Sequence, residues 1–342
     1  MKRVCLFSSL VLAVFALAAL AQKTDGPYRV SKTVKVGGVG TFDTVFADTV
    51  GRRLYIPRKN PGRITVFDLD TLEPVGEIPN AAANGTIVDP KSGHGFGSSK
   101  PVVMFDAKTL QTIKTIDVEG GPDAILFDAF NQRVYIFSHV APHATAISTV
   151  DGSIAGTVDL GGMPEQAVTD GKGHIYSVIR DTNNVAVIDA KTLTVSAHYT
   201  VAPKGGRCSG LAIDAKNHIL FAGCREPQTM VIMNADDGKI LETLPIGAGV
   251  DSAIFNPETM ETYSAQVDGT LTIIKENSPT SFVVAQTVQT KQSAKQMAWD
   301  SKTKRILLIA ADYTPATPAT SGTPAVPAKM IPDSFSIVVV NK

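Results

Sequence analysis

Seven times along its 342 residues the chain ends a short apolar run on an acidic or amide side chain: Asp48, Asp89, Asp128, Asp170, Asp214, Asn256 and Asp300. The spacing is about 40 residues, the period of a repeat architecture. Each unit opens with a run such as "FDTVFAD", "PDAILFD", "PEQAVTD" or "CSGLAID", turns through polar or glycine residues, and resumes as "RLYIP", "RVYIF", "HIYSV" or "ILFAG". A third run follows ("ITVFDLD", "VVMFDAK", "VAVIDAK", "MVIMNAD"), then a fourth ("VGEIP", "TIKTIDV", "IAGTVDL", "VSAHYTV", "ILETLPI"). Short runs rich in Val, Ile and Thr, separated by turn residues, predict four antiparallel strands per unit. One such sheet cannot bury both of its faces until neighbours cover them, so the chain is expected to be all-β, a seven-bladed β-propeller of four-stranded blades.

The seventh unit supplies three strands, the last in "SFSIVVVN", Ser334 to Asn341. "YRVSKTVKV", Tyr28 to Val36, precedes the first unit without a partner of its own and is predicted to close the ring beside that final strand. "MKRVCLFSSLVLAVFALAALAQ" carries Lys2 and Arg3, an apolar run, and Ala19-Leu20-Ala21 before Gln22. That is the pattern of a cleaved secretory leader over residues 1–21, leaving 22–342 as a single propeller domain in the periplasm or outside the cell. The apolar run is short for a bilayer span, and no later segment is long and apolar enough to be one.

Two cysteines remain past the leader. With the turn of "CSGLAIDAKNHILFAGC" near Lys216, Cys208 and Cys224 fall opposite each other on adjacent strands, where an oxidising compartment favours a disulfide. "YTPATPATSGTPAVPAKMIP", Tyr313 to Pro332, interrupts the seventh blade between its second and third strands. Its composition predicts a mobile, extended segment on the candidate ligand face, with a lid or docking arm as the sharper alternative.

The units resemble the YVTN-type β-propeller repeat family in their second halves, as in "NVAVIDAKTLT", and in the Gly-x-x-Pro-like turns "GGPD" and "GGMPE". The tetrapeptide that names the family is replaced by "YIPR", "YIFS", "YSVI" and "FAGC". The resemblance covers nearly the whole chain after the leader and implies a propeller. Its quinoprotein-like and lactonase-like relatives include binders and enzymes, so function has to be sought in the site.

Five residues before each repeat anchor, at the mouth of the central channel, stand Asp43, Asn84, Asp123, Glu165, Ser209, Asp251 and Lys295. Just past the second strands, farther out on the same face, stand Arg58, Lys59, Lys100, His139, Arg180 and Arg225. An acidic inner ring inside a basic outer one is therefore predicted. Carboxylates around an axis can hold a hard cation such as calcium, with Asp43, Asp123, Glu165 and Asp251 as the ligands. The alternative is that repeated polar residues merely cap strand ends. The ligand-binding candidates are Asp43, Asn84, Asp123, Glu165, Asp251, Arg58, His139, Arg180 and Arg225.

His139 and His143 lie in "SHVAPHAT", where Pro142 breaks any helical spacing; they are expected to face solvent. His94, His174 and His218 recur at the turn between first and second strands, on the opposite face. Trp299 is expected in the blade core. No G-x-S-x-G elbow, phosphate-cradling glycine loop, H-E-x-x-H or C-x-x-C-H motif is present.

The chain balances 32 basic against 32 acidic residues, which gives no electrostatic support for nucleic-acid or membrane-surface binding. The leading expectation is a monomeric binding or interaction module without catalysis, taking a protein or small-molecule ligand at the channel mouth, with no cofactor beyond that possible cation. The enzymatic alternative, implied by the lactonase-like relatives, is a metal-dependent hydrolase with Asp123 and Glu165 as catalytic candidates. A subunit serving a redox partner is a third reading, and the quinone or haem would then belong to the partner.

Overall fold

A computed structural model of the chain describes residues 26–141, 143–317 and 327–342. The leader, with Cys5, lies outside the described residues, as do Pro142 and the middle of the blade 7 insertion. Among the described residues no helix is long and apolar enough to cross a membrane.

Seven four-stranded antiparallel sheets form the ring. Blade 1 comprises Phe46–Asp48, Arg53–Arg58, Arg63–Asp68 and Pro74–Pro79. Blade 2 comprises Thr86–Asp89, His94–Gly97, Val102–Asp106 and Thr112–Ile116. Blade 3 comprises Pro122–Asp128, Arg133–Ser138, His143–Ser148 and Ile154–Asp159. Blade 4 comprises Pro164–Thr169, His174–Ile179, Asn184–Asp189 and Thr194–Thr200. Blade 5 comprises Cys208–Asp214, Ile219–Arg225, Gln228–Asn234 and Ile240–Pro245. Blade 6 comprises Val250–Asn256, Glu261–Gln266, Thr270–Ser278 and Ser281–Gln289. Blade 7 takes Gln296–Asp300, Arg305–Ala310 and Ser336–Asn341 from its own repeat. Its outer strand is Arg29–Lys35, paired antiparallel from Arg29 opposite Asn341 to Lys35 opposite Ser336.

The repeat anchors earn their positions chemically. Each ends or directly follows an inner strand, and its side-chain oxygen accepts backbone N–H groups in the turn that follows. Asp48 takes those of Val50 and Gly51, Asp214 those of Lys216 and Asn217, and Asn256 that of Glu258. Asp68, Asp106 and Asp189 do the same between third and fourth strands, each accepting from residues two and three ahead. These turns end on Leu72, Leu110 and Leu193 at positive φ, where blades 3 and 5 place Gly152 and Gly238. The leucines reach the previous blade: a Cβ added at Gly76 would meet Leu110, and one at Gly156 would meet Leu193, each at 2.8 Å.

Seven apolar clusters fill the seven seams between blades. Second strands are buried on both faces, which is why runs such as "LYIP" do not alternate. On the face opposite the candidate site the seams are also tied by polar groups. Arg53 and Tyr55 both reach the Ala107 carbonyl of blade 2, and Arg133 and Tyr135 both reach Ala190 of blade 4, each pair two residues apart on one strand face. At the closing seam Arg52 binds Asp300 through two 2.8 Å hydrogen bonds and Asp70 at 2.7 Å, while Arg305 reaches the Leu69 carbonyl. Tyr28, just before the closing strand, anchors it to blade 6. Its N–H and C=O pair with the Gln286 amide at 3.0 and 2.7 Å, and its hydroxyl donates to Glu261 at 2.5 Å.

Cys208 and Cys224 are cross-strand partners and form a buried disulfide in blade 5. His94, His174 and His218 begin or directly precede second strands, bonded to Thr149 O, Asp170 and Asp236 respectively. Trp299 is half-buried: one side packs on Tyr263, ring centroids 5.4 Å apart, and the other lines the channel, so the expectation of a purely core residue is corrected. A second correction concerns the "SHVAPHAT" histidines. His143 opens a central strand, paired with Ser138 on one side and Asp159 on the other, and is buried. His139 is turned toward the channel because its N–H donates to Gly121 O at 3.2 Å.

Candidate functional site at the channel mouth

The inner strands converge on a channel whose cavity, about 230 Å³, is lined by Asp43, Asp123, Glu165, Ser209 and Asp251. These come from blades 1, 3, 4, 5 and 6; of the seven positions read from the repeat, Asn84 and Lys295 do not line this cavity. Two clusters divide it.

In the first, His139 Nε2 lies 3.2 Å from Asp123 Oδ2 and 3.5 Å from Glu165 Oε1, and Arg180 Nη1 pairs with the same Glu165 oxygen. Asp123, His139 and Glu165 each present one ligand atom, all within 4.8 Å of one another. In the second, Asp251 is clasped by Arg225 on one oxygen and Lys295 on the other. Gln296 Nε2 donates to Asp251 Oδ2 at 3.0 Å and to Asp43 Oδ1 at 2.7 Å, bridging three blades.

Two other candidates stand apart. Arg58 is buried, its guanidinium 3.8 Å above the Phe335 ring and donating to Val39 O at 2.5 Å. Asn84 spends its amide on Pro122 O at 2.8 Å, a contact between blades 2 and 3. Lys100 donates to Gly120 O at 2.6 Å, and Lys59 is exposed.

Burial dominates the electrostatics. It pushes the Glu165 carboxyl up to about 8, against the pull of Arg180 and with added repulsion from Asp123, Asp251 and Asp43. Burial raises Asp43 to about 7, Lys295 opposing and Asp251 reinforcing, and it raises Asp123 despite His139. Lys295 goes the other way from what burial alone would give, because Asp251 and Asp43 hold its ammonium charged.

Gln166 and Gln296 also line the channel, and neither charge nor motif singled them out. Gln166 Oε1 accepts from Leu211 N and Ala253 N, both at 3.0 Å, and its Nε2 donates to Ala253 O at 2.9 Å. One side chain thereby braces blades 4, 5 and 6. Both glutamines stand four residues before an anchor, where the other blades have Thr44, Gly85, Ala124, Gly210 and Ser252. Two long amides in a ring of small residues were the available signal.

Above the channel mouth a larger cavity of about 850 Å³ lies between blade 7 and the chain's first loop. Phe42, Val267, Ala311, Tyr313 and Pro315 give it apolar walls, and Arg225 and Lys295 reach it from the second cluster. The described ends of the insertion form one wall. They are held as a short ladder by Thr314 N to Lys329 O and Ile331 N to Asp312 O, both 2.8 Å.

No family model matches the chain, and none of the curated proteins does. Among solved structures it is similar to a chain in "Crystal Structure of Mitotic Checkpoint Complex", with a TM-score of 0.74 over 98% of this chain and 99% of that one. At 12% identity the likeness shows the fold alone. The chain is a seven-bladed β-propeller.

Proposed function

We propose that this protein is an exported binding module that takes its ligand on the channel-mouth face, without chemistry of its own. One observation carries the reading: each carboxylate at the mouth already has a partner, Asp251 with Arg225 and Lys295, Glu165 with Arg180, Asp123 with His139, and Asp43 with Gln296. Paired in this way, the groups form a polar surface that fixes a ligand's orientation. The leader pattern and the disulfide support export. The hairpins around Asp68, Asp106 and Asp189 support a divergent YVTN-type assignment, and we take the chain as a monomer.

Thermal-shift screening of small molecules, with Arg180→Met and Asp251→Asn beside the wild type, tests this. Ligands whose stabilisation disappears in either variant are expected. A full set of hits indifferent to both substitutions would sink the reading.

The convergence of Asp123, His139 and Glu165 favours one alternative, a metal-dependent hydrolase. One imidazole and two carboxylates suit zinc or manganese better than calcium, which prefers oxygen ligands throughout. These three residues would hold the ion, which would supply a Lewis acid, and Arg180 would have to release Glu165. Metal analysis of the purified protein and lactone hydrolysis with and without chelator decide it. Substoichiometric metal together with unchanged turnover removes the alternative.

A further inference from the structure

The cavity beside blade 7 has a chemistry of its own. Its apolar side is stiff: Phe42 packs edge-on against Phe335, centroids 4.9 Å apart at 88°, and Arg58 stacks on Phe335 from beyond. Tyr313 stands opposite, 41% exposed. Its floor carries two cations, Arg225 and Lys295, that share the single carboxylate of Asp251. The one carboxylate among its described lining residues, Asp312, is paired with Lys291 at 3.0 Å. Asp43, which also acts on Lys295, lies off this cavity's lining and is hydrogen-bonded to Gln296.

Donors are unspent. Arg225 uses Nε on Val250 O at 2.9 Å and Nη2 on Asp251, and its Nη1 has no partner among the described residues. Lys295 gives one hydrogen bond to Asp251 and keeps two N–H groups. A guanidinium held on one edge with the other free is pre-organised for an incoming carboxylate. The volume, about 850 Å³, is that of a small-molecule site.

We propose that this cavity binds a small organic monoanion with an apolar or aromatic body, its carboxylate on Arg225 and Lys295 and its body between Phe42 and Tyr313. This rests on the channel-mouth face being the binding face, and narrows it to one pocket and one ligand class.

The test is calorimetric titration of the full chain with 2-naphthoate and, as its neutral counterpart, 2-naphthamide. Naphthoate is expected to bind one to one and at least about tenfold more tightly than the amide. Arg225→Met and Lys295→Met should each weaken naphthoate by about tenfold and leave the amide unchanged. Tyr313→Ala, on an exposed wall where folding is not at stake, should weaken both. Equal affinity for anion and amide overturns the proposal, as does the absence of saturable naphthoate binding at millimolar concentration. Binding lost in Arg180→Met but kept in Arg225→Met, Lys295→Met and Tyr313→Ala overturns the pocket while sparing the channel-mouth reading. Indifference to all four substitutions counts against both.

Discussion

Glu165 sits under two opposed demands. Arg180 favours its charge, while burial and the neighbouring carboxylates oppose it, and the outcome lies at about 8. In an unfolded chain the same side chain titrates near about 4.3. The folded protein thus takes up a proton between those values, and the stability tied to this group is present below the lower one and is lost as pH rises through the upper. Glu165→Gln, whose amide oxygen still accepts from Arg180, is expected to match the wild type near pH 4. At pH 9 it should exceed the wild type by on the order of 2 kcal/mol in urea unfolding. A less stable variant at pH 9 would contradict this. At this scale the repeat phase made the acidic ring legible, since a fixed offset from each anchor picks out Asp43, Asp123, Glu165 and Asp251. The offset says nothing of side-chain reach, so Arg58, buried on Phe335, was indistinguishable from Arg225. His139 was misread for a related reason: the proline directly before His143 implied a free loop, and the Gly121 hydrogen bond that folds it inward is a tertiary contact.

Between elements, the seams divide the labour: apolar clusters supply most of the binding, and polar staples on the far face fix the angle between blades. The staple at Asp300 is the densest. Its carboxylate is fully buried, yet hydrogen bonds from Arg52, Thr303 and Arg305 outweigh that burial and hold it far below the usual carboxylate range. A depressed acid stabilises the fold above about pH 4 and ceases to do so as the pH falls through its folded value. Asp300→Asn is expected to cost about 3–5 kcal/mol at pH 7, because Arg52 is left facing a neutral group, and distinctly less at pH 3. Equal costs at the two pH values would refute the charge argument. Within blade 5 the disulfide closes a 16-residue separation, and chain-entropy reasoning gives it about 3 kcal/mol. Cys208→Ala/Cys224→Ala should lower the denaturant midpoint accordingly, and reductant should do nothing further. It should also weaken any ligand that depends on Arg225, the next residue after Cys224. The hairpins were readable because Asp-x-x-Thr turns are local chemistry. The Arg-x-Tyr staples were printed in "RLYIP" and "RVYIF" but their targets, Ala107 and Ala190, lie on other blades.

For the whole molecule, the ring depends on one borrowed strand. Arg29–Lys35 covers the edge of Ser336–Asn341, whose sequence "SIVVVN" is an apolar, β-branched strand of the kind that pairs with other chains when left bare. A chain lacking residues 1–36 is expected to melt at lower temperature and to scatter light as oligomers, while the full chain stays monomeric in gel filtration. A truncated chain that remained monomeric with an unchanged melting temperature would show that closure is dispensable. The borrowed strand was foreseeable because unit 7 was visibly one strand short and Tyr28 to Val36 had nowhere else to go. Its clamp on blade 6 through Tyr28, Gln286 and Glu261 was not, since nothing in those three positions repeats. The same closure imposes an order in time. When the chain emerges from its N-terminal end, blades 1 to 6 each receive their four strands in succession, but Arg29–Lys35 waits unpaired until residues 336–341 arrive. The earliest strand made is the last one seated, so the completed propeller is a late, single event, and the interval before it is when the chain is most open to aggregation and proteolysis.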